Sequence, residues 1–202
     1  MTETATAKLG RPRAFCEETA LEAAMRVFWE KGYEGASLAD LTEAMGINRA
    51  SLYSSFGDKE ALFRQALARY GEGPASYVKT ALQEPTARRV VEALLKGVVD
   101  LLGNPKNPRG CLSTQGALAT GLGAEPIKNV LIEWRKGAEV EMQKRFKRAR
   151  TEGDLPEDVN AGDLTRYLSS VIYGLGIMAA NGDTKADLNR VVDMTLRTLP
   201  LA

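Results

Sequence analysis

Apolar residues recur along the chain at helical spacing. Between residues 17 and 31, Leu21, Ala24, Met25, Phe28 and Trp29 fall at i, i+3, i+4, i+7 and i+8 and form one stripe. Gly32 stops that helix. A second starts at Ser37, with Leu38, Leu41 and Met45 facing inward. The Ser37 hydroxyl suits the open N–H groups of the first turn, and Asp40 suits the positive helix end. Gly46 fits the left-handed residue that closes a helix, and Asn48 is a good N-cap for a third helix, Arg49 to Phe56. Gly57 ends that one. Asp58 caps a fourth, whose apolar face is Leu62, Phe63, Ala66 and Leu67, and Gly71-Glu72-Gly73-Pro74 bends or interrupts it. Further helices are expected near 86–102, 110–120, 126–152, 163–181 and 184–199, with breaks rich in Gly and Pro. No run alternates in the manner of a strand, and no repeat or low-complexity tract stands out. The pattern predicts an all-α fold. Residues 1–57 form an N-terminal arm and a three-helix unit with a helix-turn-helix, and residues 58–202 form a larger helical bundle.

The third helix carries the chemistry. On a helical wheel Leu52 and Phe56 share the face that packs inward, after Ile47 in the turn. Ala50, Ser51 and Ser54 point away, with Tyr53 and Ser55 on the flanks. Small residues on the outer face let a helix sink into the DNA major groove. Arg49, in the first turn, reaches a base edge or a phosphate, and arginine donates two hydrogen bonds to guanine. Lys59 opens the fourth helix, where its charge joins the helix N-terminus in favouring a phosphate. The plainer alternative is a helical hairpin buried in a core, but turn, caps and flanking helix all agree with a reader.

Composition narrows the rest. The chain has 202 residues, a net charge of +1, two cysteines and no histidine. Without histidine there is no Ser-His-Asp or Cys-His catalysis and no pH switch near neutrality. Residues 1–60 hold seven bases (Lys8, Arg11, Arg13, Arg26, Lys31, Arg49, Lys59) and ten acids (Glu3, Glu17, Glu18, Glu22, Glu30, Glu34, Asp40, Glu43, Asp58, Glu60), a net of −3. DNA binding must therefore rest on where the bases sit, not on their number. No segment is apolar enough for a membrane span and the first residues do not resemble a signal peptide, so a cytoplasmic location is expected.

Four segments match one family in order. Gly10-Arg11-Pro12-Arg13, Phe28-Trp29-Glu30-Lys31-Gly32-Tyr33, Ser37-Leu38-Ala39-Asp40-Leu41 and residues 46–63 resemble the N-terminal domain of the tetracycline-repressor family. The resemblance implies a homodimer that joins through its C-terminal helices, binds a palindromic double-stranded DNA operator and answers a small-molecule effector. It implies that Ser37, Tyr53 and Lys59 hold phosphates. Asn48, Arg49, Ala50, Ser54 and Ser55 would face the bases, and Arg11 and Arg13 would touch the backbone or the minor groove. Many members carry a bulky aromatic or a histidine where this chain has Ser54-Ser55, so DNA shape and water are expected to contribute more here. The segment Arg109-Gly110-Cys111-Leu112 resembles a subset whose cysteine, at the start of the sixth expected helix, senses oxidants or electrophiles.

Other features weigh less. Gly174-Leu175-Gly176-Ile177-Met178-Ala179 matches a dinucleotide fingerprint, but it lies in a helical period with no strand before it, so close helix approach is the better reading and no cofactor is expected. The basic run at 144–150 collects at a helix C-terminus, where the helix dipole favours it. Cys111, if it opens a helix after Arg109, is set up for a reactive thiol; a small buried hydrophobe is the alternative, and Cys16 has no such setting. Trp134, Met142, Phe146, Tyr167, Tyr173 and Met178 could line an apolar effector pocket or simply fill a core. Two other functions compete with a DNA-binding regulator. An enzyme lacks histidine, metal-ligand spacing and a phosphate loop. A helical protein-interaction module draws on the acidic balance of residues 1–60.

Overall fold

The computed structural model describes residues 16–114 and 125–201, and all their regular structure is helical. The helices are α1 (Glu17–Gly35), α2 (Leu38–Met45), α3 (Arg49–Phe56), α4 (Lys59–Glu72), α5 (Tyr77–Ala81), α6 (Ala87–Leu102), α7 (Glu125–Thr151), α8 (Ala161–Asn181) and α9 (Lys185–Thr198). Of the expected 110–120 helix, residues 110 and 111 are not helical, residues 112–114 form a helical turn, and residues 115–120 lie outside the described residues, as do Arg11 and Arg13.

The local signals act as the sequence predicts. Ser37 and Asp40 form a reciprocal capping box at the start of α2, and Gly46 closes that helix at φ +66°. Asn48 and Asp58 cap α3 and α4 through 2.8 Å bonds from Ser51 N and Ala61 N. Thr184 and Asp187 repeat the capping box on α9. Each such cap stabilises its helix by about 1 kcal/mol. Gly32 breaks the first helix with φ +70° and ψ 177°, but the chain resumes one more turn to Gly35, so α1 is kinked there rather than stopped. α5 was not predicted. It is five residues long, and Ser76 before it makes no side-chain cap bond. It rests on α6, where Gly97 admits the Tyr77 ring: a Cβ on Gly97 would stand 2.2 Å from it.

Two cores result. The first joins Met25, Phe28 and Trp29 of α1 to Leu41, Leu52, Phe63 and Tyr70 of α2, α3 and α4. Phe63 meets Phe28 edge-on at 5.0 Å, and Tyr70 meets Trp29 at 4.8 Å. α4 therefore shares its apolar face with the reader, and the expected division between residues 57 and 58 cuts through this core. Leu101, Leu112, Ile127, Val130 and Leu131 belong to the same cluster, so part of its floor comes from the second half of the chain. The second core gathers α6, α7, α8 and α9 around Leu94, Leu95, Phe146, Leu168 and Leu188. Cys111 and Tyr77 touch both.

Candidate nucleic-acid interface and the linked cavity

α3 stands with Leu52 and Phe56 buried and its other face bare. Asn48, Arg49, Ala50, Tyr53 and Ser54 are exposed, and Ser55 is half-buried. Tyr53 is 50% exposed, unusual for a large aromatic residue without a partner surface. Internal hydrogen bonds fix what this face offers. Asn48 spends its Oδ1 on Ser51 N, which leaves its amide N–H groups as donors. Ser54 donates to Ser51 O at 3.0 Å and so turns lone pairs outward. The face presents the Arg49 fork and an amide donor at its leading end and a weak acceptor further along.

Two of the residues expected to meet phosphates, Ser37 and Lys59, flank it. Ser37 Oγ donates to Asp40 Oδ2 at 2.7 Å, and Lys31 Nζ lies 2.6 Å from Asp40 Oδ1. Lys31 and the Ser37 hydroxyl and amide together hold the Asp40 carboxyl well below the usual carboxylate range. The Ser37 proton is committed to Asp40 and the Asp40 N–H to Ser37 Oγ, so any anion at the start of α2 would be met by the remaining first-turn amides. Lys59 Nζ sits 4.6 Å from the centre of the Tyr33 ring. Tyr33 in turn packs on Phe28 and Phe63. Burial lowers the Lys59 pKa, while Glu34 and Asp40 oppose that shift. Tyr33 and the Lys31–Asp40 pair were not singled out from sequence. Both lie in segments that carry the family resemblance, but their contacts depend on how α1 crosses α2 and α4.

The basic run of α7 does not form a second such face. Lys144 pairs with Glu141 and Arg148 with Glu152, while Arg150 donates to Glu157 O. Arg145 is buried and donates to Glu84 O and Pro85 O.

Cys111 lies just before the turn at 112–114 and is half-buried. Its Sγ is 3.3 Å from Tyr70 Oη and 3.2 Å from Ser113 Oγ. The Arg109 guanidinium lies against Gly182, the C-cap of α8, where a cation is favoured. Cys111 borders a partly enclosed, apolar cavity of about 50 Å³. Trp134, Met142 and Tyr173 line it, with Tyr70, Tyr77 and Ser113, which sequence reasoning did not assign to a pocket. Tyr167 and Met178 do not line it: Tyr167 is 43% exposed, and Met178 packs on the second core. Ser169, Ile172 and Tyr173 set the α8 face that meets the cavity, and helical phase turns Tyr167 and Met178 off it. Phe146 is fully buried in the second core. The space holds a few waters, well short of the 300 Å³ or so at the low end for drug-sized ligands, so a larger occupant has to move a wall. Trp134 also borders an open groove of about 970 Å³ between α4, α5 and α7. Burial and the Glu139 hydrogen bond push the Tyr173 phenol well above its ordinary range. The Gly174–Ala179 stretch is helical, and Gly176 is where α8 approaches Cys111: a Cβ there would stand 3.4 Å from Cys111 Cβ.

A capped two-helix unit with a bare, small-residue second helix on an all-helical body defines a helix-turn-helix DNA-binding regulator. Comparison with known proteins agrees. Residues 20–66 match the family model described as bacterial regulatory proteins, tetR family. The chain is 30% identical over 193 residues to the HTH-type transcriptional repressor ComR of Escherichia coli (strain K12), covering 95% of this chain and 92% of that one. It is 32% identical over 176 residues to the HTH-type transcriptional repressor AcnR of Corynebacterium diphtheriae, covering 86% of each. A structure of a cysteine mutant of the TetR family transcriptional regulator CifR, complexed with 26-base-pair double-strand operator DNA, superposes with a TM-score of 0.90 at 40% identity, over 94% of this chain and all of that one. The chain belongs to the tetR family, whose members are DNA-binding transcriptional regulators and not enzymes. Among the described residues no helix is long and apolar enough to cross a membrane, and no cluster of three or more His, Cys, Asp or Glu residues could hold a metal ion.

Proposed function

We propose that this chain is a cytoplasmic, homodimeric repressor that reads a palindromic operator with α3 of each protomer. The bare face of α3, with Arg49 and the Asn48 amide at its leading end, is the observation that carries the reading. Arg49, Ala50, Ser54 and Ser55 meet base edges. Tyr53, Lys59 and the start of α2 at Ser37 meet phosphates, and Arg11 and Arg13 reach the backbone or minor groove. Dimerisation through α8 and α9 is supported by Tyr167, Ile177 and Met194, large apolar side chains left exposed on those helices. Release follows a small molecule entering the cavity lined by Trp134, Met142 and Tyr173, or modification of Cys111 at its edge. Either signal works only if it favours the state that does not bind DNA.

Selection of bound duplexes from a random pool tests the first part. Arg49→Ala is expected to lower the preference for the selected site over a scrambled one by roughly 1–3 kcal/mol per half-site, and equal preference in parent and variant would refute the α3 assignment. The Cys111 route is tested by operator release after mild oxidation or thiol alkylation. Release is expected for the parent and not for Cys111→Ser, and equal release by both excludes it.

A further inference from the structure

We infer that Trp29 is the residue through which the chemical state of Cys111 reaches the DNA reader; the inference rests on Cys111 being a sensing residue. Trp29 is fully buried in α1, and its indole N–H donates to the Gly110 carbonyl at 2.9 Å. Gly110 directly precedes Cys111, is itself buried and holds φ +78°. Through this one side chain the body of the reader is joined to the peptide group that leads into Cys111. Tyr70 supplies a second link. Its ring meets Trp29 edge-on at 4.8 Å, and its hydroxyl lies 3.3 Å from Cys111 Sγ. One turn before Trp29, Arg26 Nη2 donates to Lys106 O at 2.6 Å. The 103–110 loop is thus tied to one face of α1 at i and i+3.

On its other side Cys111 faces Gly176 of α8, where an added Cβ would make ordinary contact at 3.4 Å from Cys111 Cβ, and a partly enclosed cavity of about 50 Å³ that holds only a few water-sized groups. N-ethylmaleimide illustrates the consequence. The Cys111 sulfur bonds to one alkene carbon and the thiol proton ends on the other, so no further reactant is consumed. The adduct is larger than the space beside the thiol. It displaces Tyr70, or the Gly110–Cys111 main chain, or both, and each of these is held by Trp29. Because α1 shares one core with α2, α3 and α4, a shift at Trp29 re-aims the reader as a body.

The test uses the full chain with Cys16→Ser, so that Cys111 is the one remaining thiol. Trp29→Phe keeps the aromatic bulk and removes the N–H donor. Mass spectrometry is expected to show one N-ethylmaleimide adduct on each protein. Modification is expected to raise the dissociation constant for the selected operator at least tenfold in the parent and less than threefold in Trp29→Phe. Equal weakening in both overturns the inference. A modified parent that stays on the operator ends the sensing reading instead, and this inference with it, and that outcome is seen in the parent alone. A second measurement does not depend on how well the variant folds. The two tryptophans give two indole ¹H–¹⁵N signals, and a Trp134→Phe spectrum tells them apart. Modification is expected to move the Trp29 signal and speed its hydrogen exchange at least tenfold; an unchanged signal and exchange rate overturn the inference.

Discussion

Replacing Lys59 with alanine removes a charge held against the Tyr33 ring. Its ammonium lies 4.6 Å from the centre of the Tyr33 ring, and Tyr33 is held by Phe28 and Phe63, so the cation stands at a fixed point beside the start of α4. Each phosphate contact contributes about 0.9 to the slope of log K against log salt. A dimer loses two contacts, so the slope is expected to flatten by about 1.8. Between 50 and 200 mM salt, a fourfold change, the parent should lose roughly tenfold more affinity than the variant. The variant's deficit is therefore largest in low salt and shrinks as salt rises. Fluorescence anisotropy with a labelled operator at three or four salt concentrations measures both slopes. The cation–π contact is also lost, which costs about 0.5–1 kcal/mol of folding stability in urea titrations. Parallel salt slopes for parent and variant would refute the phosphate assignment of Lys59, whatever the change in affinity at one salt concentration.

Two further predictions concern stability. Gly97→Ala sets a methyl group 2.2 Å from the Tyr77 ring, so overpacking of about 1–3 kcal/mol should outweigh the roughly 1 kcal/mol that alanine gains in a helix; a thermal midpoint equal to or above the parent's would show that α5 does not rest there. Burial, with smaller contributions from Cys111 and Tyr173, pushes the Tyr77 phenol far above its ordinary value. A raised acid pKa in the folded state gives stability that is fully present below about pH 10 and is lost as pH rises further, because the unfolded chain ionises first. Urea titrations of the parent should lose about 1.4 kcal/mol more than those of Tyr77→Phe for each pH unit above 10, and parallel losses would place that phenol in water.

What could be read in advance was local. Ser37 with Asp40, Gly46, Asn48 and Asp58 mark helix ends through contacts that span three or four residues, and those signals survive any tertiary arrangement. The buried and bare faces of α3 were legible for the same reason, since Leu52 and Phe56 fix its phase by themselves. α5 was missed because five residues carry too little period to separate a helix from a turn. The environment of Cys111 was out of reach. Tyr70 is 41 residues away and Gly110 meets Trp29 across 81, and no spacing rule links them. Tyr167 and Met178 lie off the cavity because a helical period says which residues share a face, not which face meets a cavity. That choice is made by the way α8 packs on α7 and α6.

The floor beneath α1 and α4 has a consequence for engineering. Leu101, Leu112, Ile127, Val130 and Leu131 sit in the core that holds the DNA-facing helices upright. A fragment ending at residue 57 would keep every side chain proposed to read bases and lose the residues that support them. Joining this reader to the sensing half of a distant relative would set α1 and α4 on a differently shaped floor, and the hybrid would mis-aim its α3 before any signal arrived. A working graft has to carry those five residues with it, so the transferable unit of this regulator is a surface and its foundation rather than a stretch of sequence.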